Sequence, residues 1–483
     1  MDHIRFMLDG EVRTVGGFDP TLTVLEYLRE TAGRCGTKEG CAEGDCGACT
    51  VSLGELVDGR VRYRAVNACI LFLGAIDGKE LVTVESLTAV DALAHPVQQA
   101  LVDCHGSQCG FCTPGFVMSL YALWREGDRP TRPEIEQTLA GNLCRCTGYR
   151  PIVAAAERAC AAPDRTERRP AATATQLQAI RPAATLAIEQ EGRRFFAPTS
   201  LDALADLVLA YPGATLLAGG TDVGLWVTKQ QRRLETVISL GRVAGLADIA
   251  IGADQIEIGA GVSYTDAMPV LTTHHPEIDG LLRRLGSTQV RNAGTIGGNI
   301  ANGSPIGDSM PALIALGASL VLRRGSVERV LPLEDFFLAY RKTALAPGEF
   351  VARIRVPMVS ADTQFRTYKI SKRFDQDISA VCGGFAVTLR GGQVVDIRLA
   401  FGGMAGIPAR ARGCEQALLG QPWTAVAVQA ALPALAQDFK PLSDMRASAD
   451  YRARVAANLV RKFQIETSGT GPVGVLALAE ALS

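Results

Sequence analysis

Eleven of the 13 cysteines lie in the first third of the chain, which confines any thiol chemistry to that third. Three of them stand in CAEGDCGACT with the spacing C-x4-C-x2-C, and a fourth follows after nineteen intervening residues. This spacing is typical of a plant-type [2Fe–2S] cluster, whereas structural zinc sites usually combine two close pairs. Gly40, Gly44 and Gly47 would let the loop wrap closely enough for several thiolates to converge. The predicted ligands of this first cluster are Cys41, Cys46, Cys49 and Cys69.

Two further cysteine pairs stand in SQCGFCTPG (107–115) and NLCRCTGYRP (142–151). The first pair alone could be a redox dithiol, but that motif belongs at a strand-to-helix junction, and sequences with helical spacing flank this one. Two pairs together predict one site with four ligands, for which an iron–sulfur cluster is favoured and zinc stays open. The predicted ligands are Cys109, Cys112, Cys144 and Cys146. The other thiols are interpreted as small buried apolar residues: Cys35, Cys104, Cys160, Cys382 and Cys414.

Composition and charge narrow the class of protein. With 47% hydrophobic residues and a formal net charge of −1, the chain is expected to be globular, and nothing supports a nucleic-acid or anionic-membrane partner. The N-terminal MDHIRFMLDG has no apolar signal core, so a cytoplasmic location is expected. In a reducing compartment, cysteines favour metal binding or catalysis over disulfides.

The 483 residues predict an α+β multidomain protein, because roughly 100–200 residues form one domain. Residues 1–85 are β-rich, with a hairpin at Asp9-Gly10 and one helix capped by Thr21 or Thr23. Residues 86–160 form a small helical bundle, in which Pro133 suits a first helical turn after a Thr131 cap. Residues 161–192, rich in Ala, Pro, Thr and charge, read as a linker. Strands alternate with helices in 193–360, and 361–483 is an α+β segment.

Two glycine-rich stretches, LLAGGTDVG (216–224) and TIGGNIANGSPIGD (295–308), match neither the Rossmann nor the P-loop pattern. Their glycines could let backbone N–H groups approach a pyrophosphate, and a helix beginning in SPIGDSMPALIAL could direct its N-terminus at phosphates. Glycine turns that only pack the domain are an equal alternative. His274 and His275, before Pro276, are expected at the surface.

The sequence QCGFCTPG followed by GNLCRCTGYRPI resembles the second [2Fe–2S] domain of the molybdenum hydroxylases, the family that includes xanthine dehydrogenase and aldehyde oxidase. CAEGDCGACT is similar to that family's first cluster loop, and the resemblance covers essentially the whole chain. It implies a ferredoxin-like β-grasp domain (1–85), a helical-bundle [2Fe–2S] domain (86–160), a linker, an FAD-binding domain of vanillyl-alcohol-oxidase type (193–360) and a C-terminal α+β flavoprotein subdomain (361–483). The implied cofactors are two [2Fe–2S] clusters and FAD.

Carried over by position, the resemblance also implies a set of flavin-binding residues. One side of FAD would be lined by Leu216, Leu217, Ala218, Gly219, Gly220, Thr221, Asp222 and Val223. The pyrophosphate would be held by Thr295, Ile296, Gly297, Gly298 and Asn299. Near the ribityl chain or the ring the resemblance places Asp308, Val351 and Lys369, and Leu285 stands where the family often has an aromatic residue. AYRKT (339–343) and SKRFDQDIS (371–379) resemble segments that line the NAD entrance, with Tyr340 beside the nicotinamide, although solvated loops are an equal alternative.

In this family, the substrate chemistry takes place at a molybdopterin centre in a large C-terminal region, which is not expected in this chain. The resemblance therefore implies a separate large molybdopterin-binding subunit in an (αβ)2 heterotetramer, and no catalytic residue in this chain. Electrons would pass from that partner through the second and then the first cluster to FAD and NAD, during hydroxylation of hypoxanthine or xanthine to urate. The alternatives are a subunit for an aldehyde or N-heterocycle substrate, or a zinc-stabilised scaffold without a redox role.

Overall fold

The computed structural model describes residues 2–87, 94–161 and 172–468. The chain divides into two compact units. The first unit comprises Met1–Gly245 with Gly286–Thr295, and the second comprises Leu246–Leu285 with Ile296–Ser483.

The helices in chain order are α1 (Val24–Glu26), α2 (Pro96–Asp103), α3 (Thr113–Arg125), α4 (Arg132–Leu139), α5 (Arg150–Ala161), α6 (Ala172–Ala179), α7 (Leu201–Ala210), α8 (Val223–Thr228), α9 (Tyr264–His274), α10 (Asp279–Arg283), α11 (Thr288–Ala293), α12 (Ile296–Asn302), α13 (Ser309–Ala315), α14 (Arg412–Leu418), α15 (Ala425–Asp438) and α16 (Ala449–Thr467).

The strands in chain order are β1 (His3–Leu8), β2 (Glu11–Gly16), β3 (Thr50–Val57), β4 (Arg60–Asn67), β5 (Glu80–Val82), β6 (Leu186–Gln190), β7 (Arg193–Ala197), β8 (Thr215–Leu217), β9 (Thr236–Ser239), β10 (Ile249–Ile251), β11 (Gln255–Gly259), β12 (Ser319–Arg324), β13 (Val327–Pro332), β14 (Phe337–Ala339), β15 (Lys342–Thr343), β16 (Phe350–Pro357), β17 (Thr363–Ile370), β18 (Val381–Arg390), β19 (Gln393–Gly402) and β20 (Ala409–Arg410).

The first unit begins with a five-stranded sheet of order β2-β1-β5-β3-β4. The predicted hairpin is confirmed: Asp9 and Gly10 both have positive φ and connect the antiparallel β1 and β2. Thr23 is the cap of α1, because its hydroxyl accepts from the Glu26 N–H and its own N–H donates to the Glu26 carboxylate. The first cysteine loop lies between α1 and β3.

Helices α2 to α5 form the predicted helical bundle. Thr131 caps α4, with its N–H donating to the Glu134 carboxylate at 2.7 Å, and Pro133 lies in the first turn as expected. The bundle packs around Phe116 and Ile135, and Tyr63 of β4 belongs to the same apolar core. The two cysteine-bearing regions of the chain therefore share packed side chains.

A second sheet of the first unit has the order β6-β7-β9-β8. Its Phe195 and Val237 belong to one apolar core with Phe6 and Leu28 of the ferredoxin-like region. The first strands of the flavin region are thus packed against the ferredoxin-like sheet. This explains why both belong to one unit.

The predicted linker 161–192 is not a linker throughout. Residues 162–171 lie outside the described residues. After them comes α6, whose Leu177 is buried together with Ile180 against Met7, and β6 is part of a sheet. Alanine and threonine richness hid these elements, because their apolar residues are few and their burial depends on a distant strand.

The second unit contains a sheet of order β10-β11-β16-β12-β13, the β14–β15 hairpin, and a sheet of order β17-β18-β19-β20. Helices α15 and α16 follow the last sheet as predicted, and α14 is an addition that the sequence did not indicate. Phe385, Phe401 and Phe463 form the centre of this core.

Two expectations about single residues are wrong. His275 is not at the surface but buried, with its ring edge-on to Phe365, so the pKa of the imidazole is lowered by burial. Cys35 is exposed rather than buried, whereas Cys160, Cys382 and Cys414 are buried as expected. Cys104 is half-buried against the helical core.

Among the described residues, no helix combines the length and the apolar character needed to cross a membrane.

Candidate functional site

The first cysteine loop brings its four thiols together in two pairs. The Sγ atoms of Cys49 and Cys69 lie 3.2 Å apart, and the Cys46 N–H donates to Cys41 Sγ at 3.4 Å. The hydrogen bond from the Cys46 thiol lowers the pKa of Cys41 to about 5. A Cβ on Gly40 would lie 2.8 Å from Cys46 Sγ, so glycine is needed there for the chain to approach a sulfur, as the sequence predicted.

The second set of thiols lies at the start of α3 and just before α5. Cys112 is the residue preceding α3, and its pKa is raised to about 12 by burial and by the Cys144 thiol. Burial raises the pKa of Cys144, but hydrogen bonds from Thr147 and the Cys146 N–H outweigh it and lower the value to about 7. A hydrogen bond between the Cys109 and Cys146 thiols raises the pKa of Cys146.

Across the described ranges, no three or more His, Cys, Asp or Glu side chains form a ready-made metal cage, because the thiols meet in pairs. The pairs are nevertheless adjacent within each set. The charge of Cys41 contributes to raising the pKa of Cys69, and that of Cys109 contributes to raising the pKa of Cys112. Four thiols at each of two places suit the all-thiolate ligation of [2Fe–2S] clusters. The donor chemistry therefore fits one such cluster in each set.

The two cysteine loops touch each other through their backbones. The Leu143 N–H donates to the Cys46 carbonyl at 3.0 Å. A Cβ on Gly47 would lie 2.2 Å from the Gly141 carbonyl oxygen, and one on Gly115 would lie 2.1 Å from the Gly47 carbonyl oxygen. Gly47, with φ +69°, is thus needed for the contact between loops, a reason that the sequence did not reveal.

Asn142 joins the same two loops through its side chain. Its amide nitrogen donates to the Gly47 carbonyl at 3.1 Å, and its oxygen accepts from the Ser119 hydroxyl at 2.7 Å. Thr50 donates to the same Gly47 carbonyl. Sequence reasoning missed these residues. The one available signal was their position beside cysteines, Asn142 within GNLCRC and Thr50 directly after Cys49.

The first predicted flavin segment, 216–223, runs from β8 into α8 in the first unit. A Cβ on Gly220 would lie 3.0 Å from the Ile70 carbonyl oxygen, and one on Gly224 would lie 2.7 Å from it. At the end of α8, the Thr228 hydroxyl donates to the Ala42 carbonyl at 2.7 Å. The segment and the helix α8 that follows it therefore pack beside two predicted ligands of the first cluster, Cys41 and Cys69.

Packing also accounts for some of the predicted flavin glycines. A Cβ on Gly219 would lie 1.7 Å from the Ala293 carbonyl oxygen, and one on Gly297 would lie 2.4 Å from the Ala260 Cβ. In the second unit, the N–H groups of Ile296 and Gly297 donate to the carbonyls of Val262 and Ala260, both at 3.1 Å. Glycine at 219 and 297 is thus required whether or not a phosphate is nearby, and these two N–H groups already have partners.

The other predicted residues of this segment are distributed as follows. Thr295 ends the first unit, while Gly298 and Asn299 lie on α12 in the second. The Asn299 side-chain oxygen accepts from the Tyr264 hydroxyl at 3.1 Å and from the Ser309 hydroxyl at 3.0 Å. Burial raises the pKa of Tyr264, so this phenol stays protonated and donating.

Asp308 and Lys369 form a buried ion pair in the second unit. Their side chains approach to 2.5 Å, and the Ser379 hydroxyl donates to the other Asp308 oxygen at 2.5 Å. Asp308 immediately precedes α13 and makes no side-chain hydrogen bond to the first turn of this helix. The expectation that this helix end faces a phosphate stays a prediction.

The remaining predicted residues of the second unit differ in exposure. Val351 is buried in β16, and Leu285 is half-buried. Tyr340 is 61% exposed in the turn between β14 and β15, where the Arg341 guanidinium lies 5.4 Å from its ring. In the 371–379 segment, Phe374 is stacked under the Arg284 guanidinium at 4.6 Å.

Known proteins similar to this chain point to one family. Xanthine dehydrogenase of Emericella nidulans is 35% identical over 91% of this chain, and xanthine dehydrogenase/oxidase of Mus musculus is 32% identical over 91%. The solved structure of carbon monoxide dehydrogenase from Hydrogenophaga pseudoflava matches 56% of this chain and 94% of its own, with 32% identity and a TM-score of 0.53. The chain belongs to the molybdenum hydroxylase family.

Four family models divide this molybdenum hydroxylase chain in order. A 2Fe-2S iron-sulfur cluster binding domain matches residues 6–73, and a [2Fe-2S] binding domain matches 83–157. The FAD binding domain in molybdopterin dehydrogenase matches 189–359, and the CO dehydrogenase flavoprotein C-terminal domain matches 366–467. The predicted fold class is thereby confirmed. The chain spans about a third of the length of the xanthine dehydrogenases that it matches, 36% of the Emericella protein and 37% of the mouse protein.

Proposed function

We propose that this chain is the iron–sulfur and FAD-containing electron-transfer subunit of a xanthine dehydrogenase, which takes electrons from a molybdenum-cofactor partner and delivers them to NAD. The identity of 35% to a named xanthine dehydrogenase supports this substrate class. The partner would oxidise hypoxanthine or xanthine to urate, and this chain would contribute no catalytic residue.

One observation carries the proposal: each predicted carrier site touches the next through the backbone. Leu143, beside Cys144, bonds the Cys46 carbonyl, and Ile70, beside Cys69, packs on the predicted flavin segment. When bound, [2Fe–2S] clusters supply one-electron carriers and FAD supplies a group that collects single electrons and releases a pair. These contacts support the order second cysteine set, first cysteine set, flavin segment.

The chain's own residues would hold and tune these groups. The second set would use Cys109, Cys112, Cys144 and Cys146, and the first would use Cys41, Cys46, Cys49 and Cys69. Backbone N–H groups already donate to Cys41 and Cys144 sulfurs, and such bonds, with burial, set cluster potentials. For FAD, we propose 216–223 and 295–299 as the binding segments, with Asp308, Val351 and Lys369 as further binding residues.

The partner would dock at the second cysteine set. Cys109 and Cys146 are exposed, and beside them Phe111 is 48% and Leu143 42% exposed. Large exposed apolar side chains next to a redox site suit a surface that another subunit covers. We propose a molybdopterin-binding chain in an (αβ)2 heterotetramer in the cytoplasm. The test is purification of the complex from its source, followed by measurement of its molybdenum and its turnover of xanthine against aldehydes.

NAD is proposed as the acceptor, at the flavin side. Tyr340 is exposed, and the 371–379 segment is exposed or half-buried except at Ser379, so a soluble dinucleotide could reach both. Anaerobic NADH should bleach the flavin and cluster absorbance of the isolated chain, because the transfer is reversible. A chain that dithionite bleaches and NADH does not would argue against NAD and leave the electron-transfer role intact.

A second candidate is the equivalent component of a molybdenum hydroxylase with another substrate. The 32% identity to a carbon monoxide dehydrogenase structure over 56% of this chain favours keeping it. Preferred turnover of an aldehyde, an N-heterocycle or carbon monoxide by the purified complex would select this candidate. A colourless chain with stoichiometric zinc would instead indicate the scaffold alternative.

A further inference from the structure

Gln289 lies on α11, six residues before the first predicted pyrophosphate residue, Thr295, and it is 1% exposed. Its amide nitrogen lies 3.0 Å from Asn142 Oδ1, 3.1 Å from Ser119 Oγ and 3.3 Å from Thr50 Oγ1. A side chain from the flavin region thus reaches a buried position among residues of both cysteine-bearing regions.

Each of these three neighbours is tied to a cysteine. Thr50 directly follows Cys49, Asn142 precedes Cys144 by two residues, and Ser119 lies on the helix that begins after Cys112. Asn142 and Thr50 in turn both donate to the Gly47 carbonyl, between Cys46 and Cys49. The Gln289 amide therefore lies at the centre of the hydrogen bonds that connect the two cysteine loops.

Two other side chains of α11 bond neighbouring elements of the first unit. At one end, the Thr288 hydroxyl donates to the Gln137 carbonyl of α4 at 3.2 Å. At the other end, the Asn292 amide donates to the Ala65 carbonyl of β4 at 2.9 Å. A Cβ on Gly141 would lie 2.1 Å from Gln289 Oε1, so the amide is also closely packed from the loop side.

We propose that Gln289 is a positioning residue that fixes the distance and orientation of the two cysteine loops, and hence the coupling between the two clusters they would hold. This inference rests on the proposed function. An amide that donates to Asn142 and Ser119 restricts the Asn142 side chain to the rotamer that donates to Gly47. Without it, two buried acceptors lose a donor, and Asn142 is released to turn toward other partners.

The test uses the full chain with its clusters reduced by dithionite and records the spin–spin interaction between them by EPR. Gln289→Leu removes the donor at similar size, and Gln289→Glu replaces the amide nitrogen by oxygen facing Asn142 Oδ1. The matched control is Asn292→Leu, which removes the α11 bond to the Ala65 carbonyl of β4. Both Gln289 variants should change the splitting caused by the spin–spin interaction, while they keep two cluster signals and the iron content of wild type. Asn292→Leu should keep the wild-type splitting.

The outcomes separate the inference from the proposed function. An unchanged splitting in Gln289→Leu, or an equal change in Asn292→Leu, would overturn the positioning role. If the Gln289 variants fail to take up iron, Ser119→Ala becomes the deciding variant: it removes one acceptor of the same amide and should shift the splitting, and an unchanged splitting overturns the role. Absence of two interacting signals in the wild-type chain would instead count against the proposed function itself.

Discussion

Replacement of Gly115 by alanine tests the backbone contact between the two cysteine loops. The new Cβ would lie 2.1 Å from the Gly47 carbonyl oxygen, 3.0 Å from the Gly47 carbonyl carbon and 3.2 Å from the Ala48 Cα. The first distance is more than roughly 1 Å shorter than an ordinary contact. All three atoms are backbone, so no side-chain rotation can relieve the clash and the loops must move apart.

The magnitude follows from two opposing effects. Overpacking a well-packed region costs typically about 1–3 kcal/mol, and the backbone clash places Gly115→Ala at the upper end. Alanine is about 1 kcal/mol better than glycine inside a helix, and Gly115 lies in α3. The net loss is about 2 kcal/mol, which corresponds to a lowering of Tm by roughly 4–8 °C for a unit of this size.

The assay is thermal unfolding followed by cluster absorbance and by circular dichroism, with Gly213→Ala as the control. A Cβ on Gly213 meets no atom within 4 Å, so this variant should unfold within about 0.5 kcal/mol of wild type. If Gly115→Ala unfolds at the same temperature as Gly213→Ala and wild type, the contact between the loops is refuted.

Three further predictions concern the other groups. Lys369→Met should cost about 3–5 kcal/mol in thermal unfolding, because it leaves the buried Asp308 charge unpaired, and adding Asp308→Asn should recover part of the loss; a double variant less stable than the single one would contradict this pairing. Cys112→Ser should abolish one cluster EPR signal and leave FAD bound, and co-loss of FAD would argue against the predicted boundary between the helical and flavin domains. Gly298→Val should deplete FAD in the purified chain, measured by released flavin, and full occupancy would disprove the pyrophosphate assignment.

Local signals in the sequence were enough for the hairpin, the helix caps and the cysteine sets. The turn between β1 and β2 needs two residues that tolerate positive φ, which Asp9 and Gly10 supply. Thr131 and Glu134 form a capping box within four residues. These features depend on neighbours along the chain, so a single sequence displays them. The domain boundaries themselves stay predictions.

Contacts between distant segments could not be read in the same way. Gln289 lies 147 residues from Asn142 and 239 from Thr50, and no pattern around it distinguishes it from a surface glutamine. His275 stands directly before Pro276, which favours a surface turn, yet tertiary packing against Phe365 buries its ring. The sequence predicts that Gly47 lets the first loop wrap around a cluster, whereas the atoms nearest to a Cβ at this position belong to Gly141 and Asn142.

The central claim is that two [2Fe–2S] clusters and one FAD lie on this chain in electronic contact. The most direct measurement is EPR of the dithionite-reduced chain, with iron, zinc and flavin measured on the same sample. The account predicts four irons and one FAD per chain and two distinct [2Fe–2S] signals that broaden each other on full reduction. A colourless protein with zinc in place of iron, or two signals with no mutual interaction, would contradict it.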